Sequence, residues 1–566
     1  MLLNPKTANY DHLDDRSREI MKKTIAFFEA KGKEKLKHDY HQRVWYDDFL
    51  DFQRENRIFA TLLTPSAYAD GDPDKRWDTA RICAFNEILG FYGLAYWYTW
   101  QVTILGLGPL WMSDNEAVKK KTARLLEEGA IFAFGLSEKA HGADLYSSEM
   151  ALTPLGEGQY VADGGKYYIG NANTAAIVST FGKNSETGEY VFFTADPTHD
   201  NYDLVKNVVE WQSYVAEYAL NGYPVTEEEI LSSGRDAWDA ALNTINVGKY
   251  NLGWASIGIC THAFYEAINH AAHRNLYGKF VTDFPHIRQL FVDAWARLSA
   301  MKMFATRAAD YMRSGSPDDR RYLLYNPIVK MKVTTQGEEV INLLWDVIAA
   351  RGFEKDVYFE NAASDIRALP KLEGTVHVNM ALIVKFMANY LFNPAQFPEI
   401  PRRVDAVNDD FLFQQGPTKG LGGIQFHDYA AAYDSVDLPT VNVFKEQIEG
   451  LKTMLLTAPP TKAQQKDMTY LLTLGEMFTL VAYGQLIIEK SRMDTVSDDV
   501  LAQIFDAMVR DFSRYATSLY LTPGLSDAQR TACQGIVRVP PEDPDRFERV
   551  WQDFVIALKD TYEMAP

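Results

Sequence analysis

What most limits the fold of this chain is a change of rhythm: helical periodicity gives way near residue 130 to short extended runs, and returns near residue 237. The extended runs are FAFGL, QYVADGGKYYIGN, AAIVSTFG and EYVFFTAD, separated by Gly-Glu-Gly, Asp-Gly-Gly and Glu-Thr-Gly. Branched and aromatic side chains pack well on a pleated surface, and glycine supplies the backbone freedom a turn needs. The segment therefore predicts a β domain over residues 130–236, with only weak structure in 207–234.

The flanks read as helices. Residues 17–30 and 81–106 are candidates, the second highly aromatic and interrupted by glycine. Residues 115–128 set Lys119, Lys120, Lys121 and Arg124 against Leu125 and Leu126, a solvated helix with one buried stripe. Beyond the β segment, residues 238–275 form one long candidate. Residues 284–314 form another, with Leu290, Ala294, Leu298 and Met301 on one face. Residues 328–350 follow Pro327, placed at a helix N-terminus, and carry Val340, Leu344 and Ile348 four apart. Residues 375–391 are the fourth, and four such helices predict an antiparallel bundle. Residues 393–440 have the proline, glycine and aspartate of a linker, and 440–566 resume as helices broken at Pro459-Pro460, Pro523-Gly524 and Pro540-Pro541. The fold class is α+β multidomain. An N-terminal helical domain (1–129) precedes a middle β-barrel or sandwich domain (130–236). A C-terminal four-helix bundle (237–393) and an extra, mainly α extension (394–566) follow.

Bulk properties narrow the partners. At 566 residues the chain exceeds one compact core. A net charge of -19 repels phosphate backbones and anionic headgroups, so nucleic acid is not expected as a partner. Cys83, Cys260 and Cys533 are too few and too far apart for a disulfide framework or zinc set, which suits a cytoplasmic location. The first residues lack the basic flank and apolar run of a secretory signal. No run of about 18 apolar residues stands out, so no transmembrane segment is expected.

Four strings lie at the junctions of these regions: FGLSEKAHGAD (134–144), GKYYIGN (165–171), HRNLYGK (273–279) and DIRALPKLEGTVH (365–377). Each has a plain structural explanation: a strand exit with a tight turn at Gly142, a strand with a buried Tyr167, a cation at a helix C-terminus, and a glutamate near a helix N-terminus. In this order and at these separations they resemble the acyl-CoA dehydrogenase family over residues 80–392. The first resembles the entry to the family's β domain, with Ser137 on a threonine that contacts the flavin and Ala143 on a serine that contacts the FAD diphosphate. The second resembles Gly-x-Lys-x-Trp/Tyr-Ile-Thr-Asn, with Tyr168 as the aromatic against the flavin and Gly170 replacing a threonine. The third resembles Arg-x-x-Phe-Gly, whose arginine, here Arg274, reaches the FAD diphosphate of a neighbouring subunit; guanidinium suits phosphate oxygens. Pro285 replaces the glutamine that follows. The fourth resembles the signature that carries the base at Glu373, with Ser364 in place of an arginine. Upstream, AARGF (349–353) stands where relatives have Gly-Gly-x-Gly.

The resemblance implies FAD as cofactor, held by Leu136, Ser137, Tyr168, Arg274 and Thr375. It implies Asn246, Lys249 and Gly374 at an acyl-CoA substrate, and Glu373 as the catalytic base. Some branches carry the base on the first bundle helix, just before a basic residue. Here Gly248 precedes Lys249 and leaves no carboxylate there. The implied reaction is α,β-dehydrogenation of an acyl-CoA to the trans-2-enoyl-CoA, with Glu373 taking the α proton and the β hydride passing to flavin N5. An apolar pocket is expected to raise the Glu373 pKa. The resemblance further implies a place in fatty acid β-oxidation, an electron-transfer flavoprotein as acceptor, and a homodimer or dimer of dimers. An acyl-CoA oxidase and a non-catalytic acyl-CoA-binding homologue are the alternatives. No metal is expected: Glu266, His270 and His273 share a helix face, but the helix dipole accounts for the two histidines. The glycine-rich residues 416–423 lack the spacing of a phosphate loop and read as a plain loop.

Overall fold

A computed structural model describes every residue except Met1 and Ala143. The chain forms two compact units. One holds residues 9–251, 404–419 and 564–566; the other holds 2–8, 252–403 and 420–563.

In the first unit, α1 (Thr79–Tyr92) begins at Asp78, whose carboxylate accepts from the N–H groups of Ala80 and Arg81 and so satisfies donors that have no partner in the helix. The aromatic stretch breaks at Gly93 into α1 and α2 (Leu94–Met112), and both helices are buried on nearly all sides. That explains the missing amphipathic stripe: a helix surrounded by protein needs no polar face.

The β segment forms one mixed eight-stranded sheet: β1 (Phe132–Gly135), β2 (Ala151–Gly156), β3 (Gln159–Gly170), β4 (Ile177–Asn184), β5 (Tyr190–Ala195), β6 (Tyr202–Asn207), β7 (Val215–Thr226) and β8 (Ile230–Ser233). The strand order is β6-β7-β3-β2-β4-β5-β8, with β1 parallel to β4. Met150, Leu152, Ile169, Val178, Phe193, Tyr218 and Val225 are among its core residues. The stretch 207–234, expected to be weakly structured, holds β7 and β8. Its Asn221-Gly222 pair forms a bulge opposite Asp163, whose carboxylate accepts from the Gly222 N–H at 2.7 Å.

Helix α3 (Gly234–His273) runs 40 residues; those up to Asn251 belong to the first unit. In the second unit follow α4 (Pro285–Arg313), then α5 (Tyr322–Ile328), a π turn at Val329–Val333 and α6 (Thr334–Ile348). Pro327 lies inside α5 and not at a helix start. Proline lacks an N–H and crowds the carbonyl four residues back, and the wider π turn follows directly. The fourth bundle element is segmented: α7 (Val376–Ile383), a 3₁₀ turn at Val384–Phe386 and α8 (Met387–Phe392).

The extension adds α9 (Pro439–Thr457), α10 (Met468–Asp494) and α11 (Asp498–Tyr520), with α10 packed on α4 and α11. Contrary to the sequence expectation, α10 is long and apolar enough to cross a membrane by length and composition. Most of it is buried inside the fold, as in the core helix of a bundle.

Candidate functional site

In the first unit, two of the four strings are clasped together. β1 runs out into Leu136 and Ser137, beside the end of β3. The Ser137 hydroxyl donates to the Tyr167 carbonyl at 2.7 Å, and the Tyr167 N–H donates to the Ser137 carbonyl at 3.0 Å. Beneath them the buried Lys166 ammonium donates to the Leu136 carbonyl at 3.0 Å and pairs with Glu138 at 2.8 Å. Glu138 also accepts from the Ser148 hydroxyl and from the N–H groups of Glu149 and Met150. Burial pushes the Glu138 carboxyl up, but Lys166 and these hydrogen bonds outweigh it and hold it at about 2. Tyr168 is the extra residue of a bulge between β3 and β7, with φ +65°, and its side chain is 60% exposed. The bulge turns that ring outward while Tyr167 stays half-buried under Lys139.

Asn246 and Lys249 sit one turn apart on α3, only 8% and 9% exposed. A relay of buried amides holds this part of α3 in place. Asn86 donates to Asn251, Asn251 to Gln101, and Gln101 to the Gly248 carbonyl. Asn246 donates to Gln415 at 3.3 Å.

In the second unit, Glu373, Gly374 and Thr375 form the loop that leads into α7. Thr375 is the exposed N-cap, with its hydroxyl 3.5 Å from the Val378 N–H. Glu373 has φ +53° and Gly374 φ +93°, two consecutive left-handed residues. Gly374 meets that demand without strain. Glu373 does not, and a non-glycine residue held there signals a backbone over-determined by its surroundings, as at functional sites. Asn379 donates to the carbonyls of Gly374 and Thr375, and the buried Lys330 donates to the Pro370 carbonyl at 2.7 Å. Both brace the loop.

Arg274 lies on a different element, the short hairpin Asn275–Leu276 with Lys279–Phe280 after α3. It is exposed, with its guanidinium 3.4 Å from His270 Nε2. Burial, then Arg351 and Arg274, push the His270 imidazole down to about 4. Glu266 accepts from the N–H groups of Tyr358 and Phe359, and His273 pairs with Asp560, so the three residues of that helix face turn to separate partners. Another group, Glu138, His141 and Glu149, places one ligand atom each within 4.8 Å of the others. The Glu138 carboxylate is already taken up by Lys166 and its N–H donors.

Residues 236–388 match the family model described as acyl-CoA dehydrogenase, C-terminal domain. The short-chain specific acyl-CoA dehydrogenase of Megasphaera elsdenii is 22% identical over 383 residues, covering 65% of this chain and 97% of that one. Residues 236–388 thus belong to the acyl-CoA dehydrogenase C-terminal domain family. The caffeyl-CoA reductase-Etf complex subunit CarC of Acetobacterium woodii is 23% identical over 309 residues, 53% of this chain and 80% of its own length. An acyl-CoA dehydrogenase from Bacillus anthracis, solved complexed with FAD, has a TM-score of 0.74 at 16% identity. It covers 98% of this chain and 96% of its own, so the fold of the extension is shared as well.

The chain's departures from the pattern of that family have local causes. A Cβ on Gly170 would lie 2.7 Å from the Tyr98 ring and 2.9 Å from Val102, so α2 leaves no room for a threonine there. Pro285 is the first residue of α4, where the missing N–H costs nothing. Ala349, on a family glycine position, has φ +55° and ψ -135°. Ala143 lies outside the described residues. Sequence reasoning did not single out Glu138, Lys166, Lys330 or Gln415. The first two were visible as charges inside the quoted strings; the other two carry no signal until the fold is known.

Proposed function

We propose that this chain is an FAD-dependent dehydrogenase that removes hydrogen across the α,β carbons of an acyl thioester, with Glu373 as the base. The observation that carries the reading is the left-handed backbone at Glu373, kept at a position where a glycine would relieve it. The residues present suit FAD: in the first unit the exposed Tyr168 ring offers an aromatic face; in the second unit the exposed Thr375 offers a hydroxyl and the exposed Arg274 a guanidinium for a diphosphate. FAD, when bound, would supply the acceptor for the β hydride. Glu373 would take the α proton, and its own N–H would donate to the thioester oxygen as charge develops there, a role that the bracing of the loop supports. The product is an enoyl thioester.

The relative named for its complex with Etf supports an electron-transfer flavoprotein as the electron acceptor. The hairpin, whose Tyr277 is 98% exposed, offers a surface for a second subunit to cover, which supports a homodimer or dimer of dimers. Cys83, Cys260 and Cys533 are buried thiols outside any disulfide, which suits a reducing compartment such as the cytoplasm and a place in fatty acid β-oxidation.

The test is an anaerobic titration of the purified protein, loaded with FAD, against acyl-CoAs of graded chain length. Bleaching of the flavin absorbance with one chain-length class supports the reading and names the substrate. Flavin that binds and never bleaches with any acyl thioester refutes it.

A further inference from the structure

Residues 404–419 were expected to be linker, yet they pack within the first unit as a strap. One end is anchored beside α1. Asp409 donates its N–H to the Trp77 carbonyl at 2.7 Å and accepts from the Thr79 N–H at 2.7 Å, while Phe413 meets the Trp77 ring edge-on at 4.8 Å. The other end runs along α3. Asp239 accepts from the Thr418 N–H and hydroxyl at 3.0 and 2.6 Å, Asn243 donates to the Gly416 carbonyl at 2.9 Å, and Asn246 donates to the Gln415 side-chain amide oxygen (Oε1) at 3.3 Å. Asp239, Asn243 and Asn246 are spaced by four and three, so they form one stripe of the helix, and Lys249 is its next member. The strap runs antiparallel to that stripe, and its Gln415 meets it one turn before Lys249. Gln415 is itself 5% exposed and locked by donating to the Leu412 carbonyl at 2.9 Å.

We propose that the strap is a built-in wall of the acyl-thioester site and that Gln415 is a positioning residue that fixes the orientation of Asn246. The inference rests on the reading above, which puts Asn246 and Lys249 at the substrate. An amide presents an acceptor at one end and donors at the other. By accepting from the Asn246 NH₂, Gln415 decides which end faces the strap and which end is turned away. An acyl thioester carries peptide-like amides in its pantetheine arm, whose donors and acceptors would read that orientation. Such an interaction contributes to holding the substrate in ground state and transition state alike, so its loss belongs in KM and not in kcat.

Gln415→Leu removes the acceptor at similar volume, and Thr418→Val loosens the same strap without touching the Asn246 amide. Expected is a rise of about tenfold in KM for the preferred acyl-CoA in Gln415→Leu, with kcat within about twofold, as befits one hydrogen bond. Thr418→Val, which frees the far end of the wall but keeps the Gln415–Asn246 bond, should raise KM by only about twofold. Equal KM changes in the two variants, no change in Gln415→Leu, or a fall in kcat alone would overturn the proposal. Should Gln415→Leu fail to fold, or the wild type reduce no flavin with any thioester, hydrogen exchange of the wild-type protein with coenzyme A decides. Slowed exchange in 404–419 supports the wall, and unchanged exchange overturns it. Failure of the wild type to dehydrogenate any thioester defeats the proposed activity separately.

Discussion

Among the described residues of the second unit, five non-glycine residues hold positive φ, and two of them, Glu373 and Ala349, call for opposite experiments. At Glu373 the strain accompanies a carboxylate on a braced loop, so the side chain is what the position requires. Glu373→Gln keeps shape and polarity and removes the base. Rapid-mixing kinetics should show flavin reduction slowed by about 10²–10⁴-fold, with FAD content and acyl-CoA affinity retained. At Ala349 the side chain is a methyl group and contributes nothing comparable. A residue other than glycine in such a region costs about 1–3 kcal/mol, while glycine loses about 0.5–1 kcal/mol of chain entropy on folding. Ala349→Gly is therefore expected to stabilise the second unit by about 1 kcal/mol, read as a higher denaturant midpoint with unchanged slope.

At the scale of elements, the clasp between β1 and β3 rests on one buried ion pair. Folding lowers the Glu138 carboxyl from 4.5 to about 2, so the group stabilises the fold fully above pH 4.5 and loses that contribution as pH falls from 4.5 through 2. Acid unfolding followed by near-UV circular dichroism should be steep across that window. Glu138→Gln should flatten it while lowering stability at neutral pH, since Lys166 is left buried without its counter-charge. The alternation of helical, β and helical regions was legible because each element's burial writes a period into the sequence. What hid were elements whose marker residues serve another purpose. Asn221-Gly222 makes a bulge inside β7 and no turn, and Pro327 sits within α5 ahead of a π turn. The strap's aspartates and its Gly416-Pro417 pair resemble a linker, although tertiary hydrogen bonds hold it down at Asp409, Gln415 and Thr418. The strings around Ser137, Tyr168 and Glu373 stood out in the sequence by their residues. The left-handed backbone at Tyr168 and Glu373 did not, because neither is glycine.

At the scale of the whole chain, the extension is part of the second unit's core and not an appendage. Burial would raise the Glu489 carboxyl, but hydrogen bonding from His427 and the Arg307 charge hold it at about 2, and the 2.7 Å Arg307–Glu489 pair joins α10 to α4. A second link joins α11 to the same helix: Arg297 donates to both oxygens of Asp511 at 2.7 and 3.0 Å, with both side chains under a tenth exposed. Burial by itself would raise Asp511, and the Arg297 charge brings it down to about 2. Taking two charges out of water is costly, so such a pair adds little over apolar residues of similar size, whereas removing one partner strands the other. Arg297→Met is thus expected to destabilise the second unit by about 3 kcal/mol, the lower end of the usual range, because Arg514 lies 3.3 Å from Asp511 and gives it partial relief. Adding Asp511→Leu should recover most of that loss. Denaturant unfolding of the single and double variants measures both steps. Recovery in the double variant would show that the pair specifies how α11 docks without stabilising it. A double variant no better than the single one would mean that the charges themselves hold the extension to the bundle.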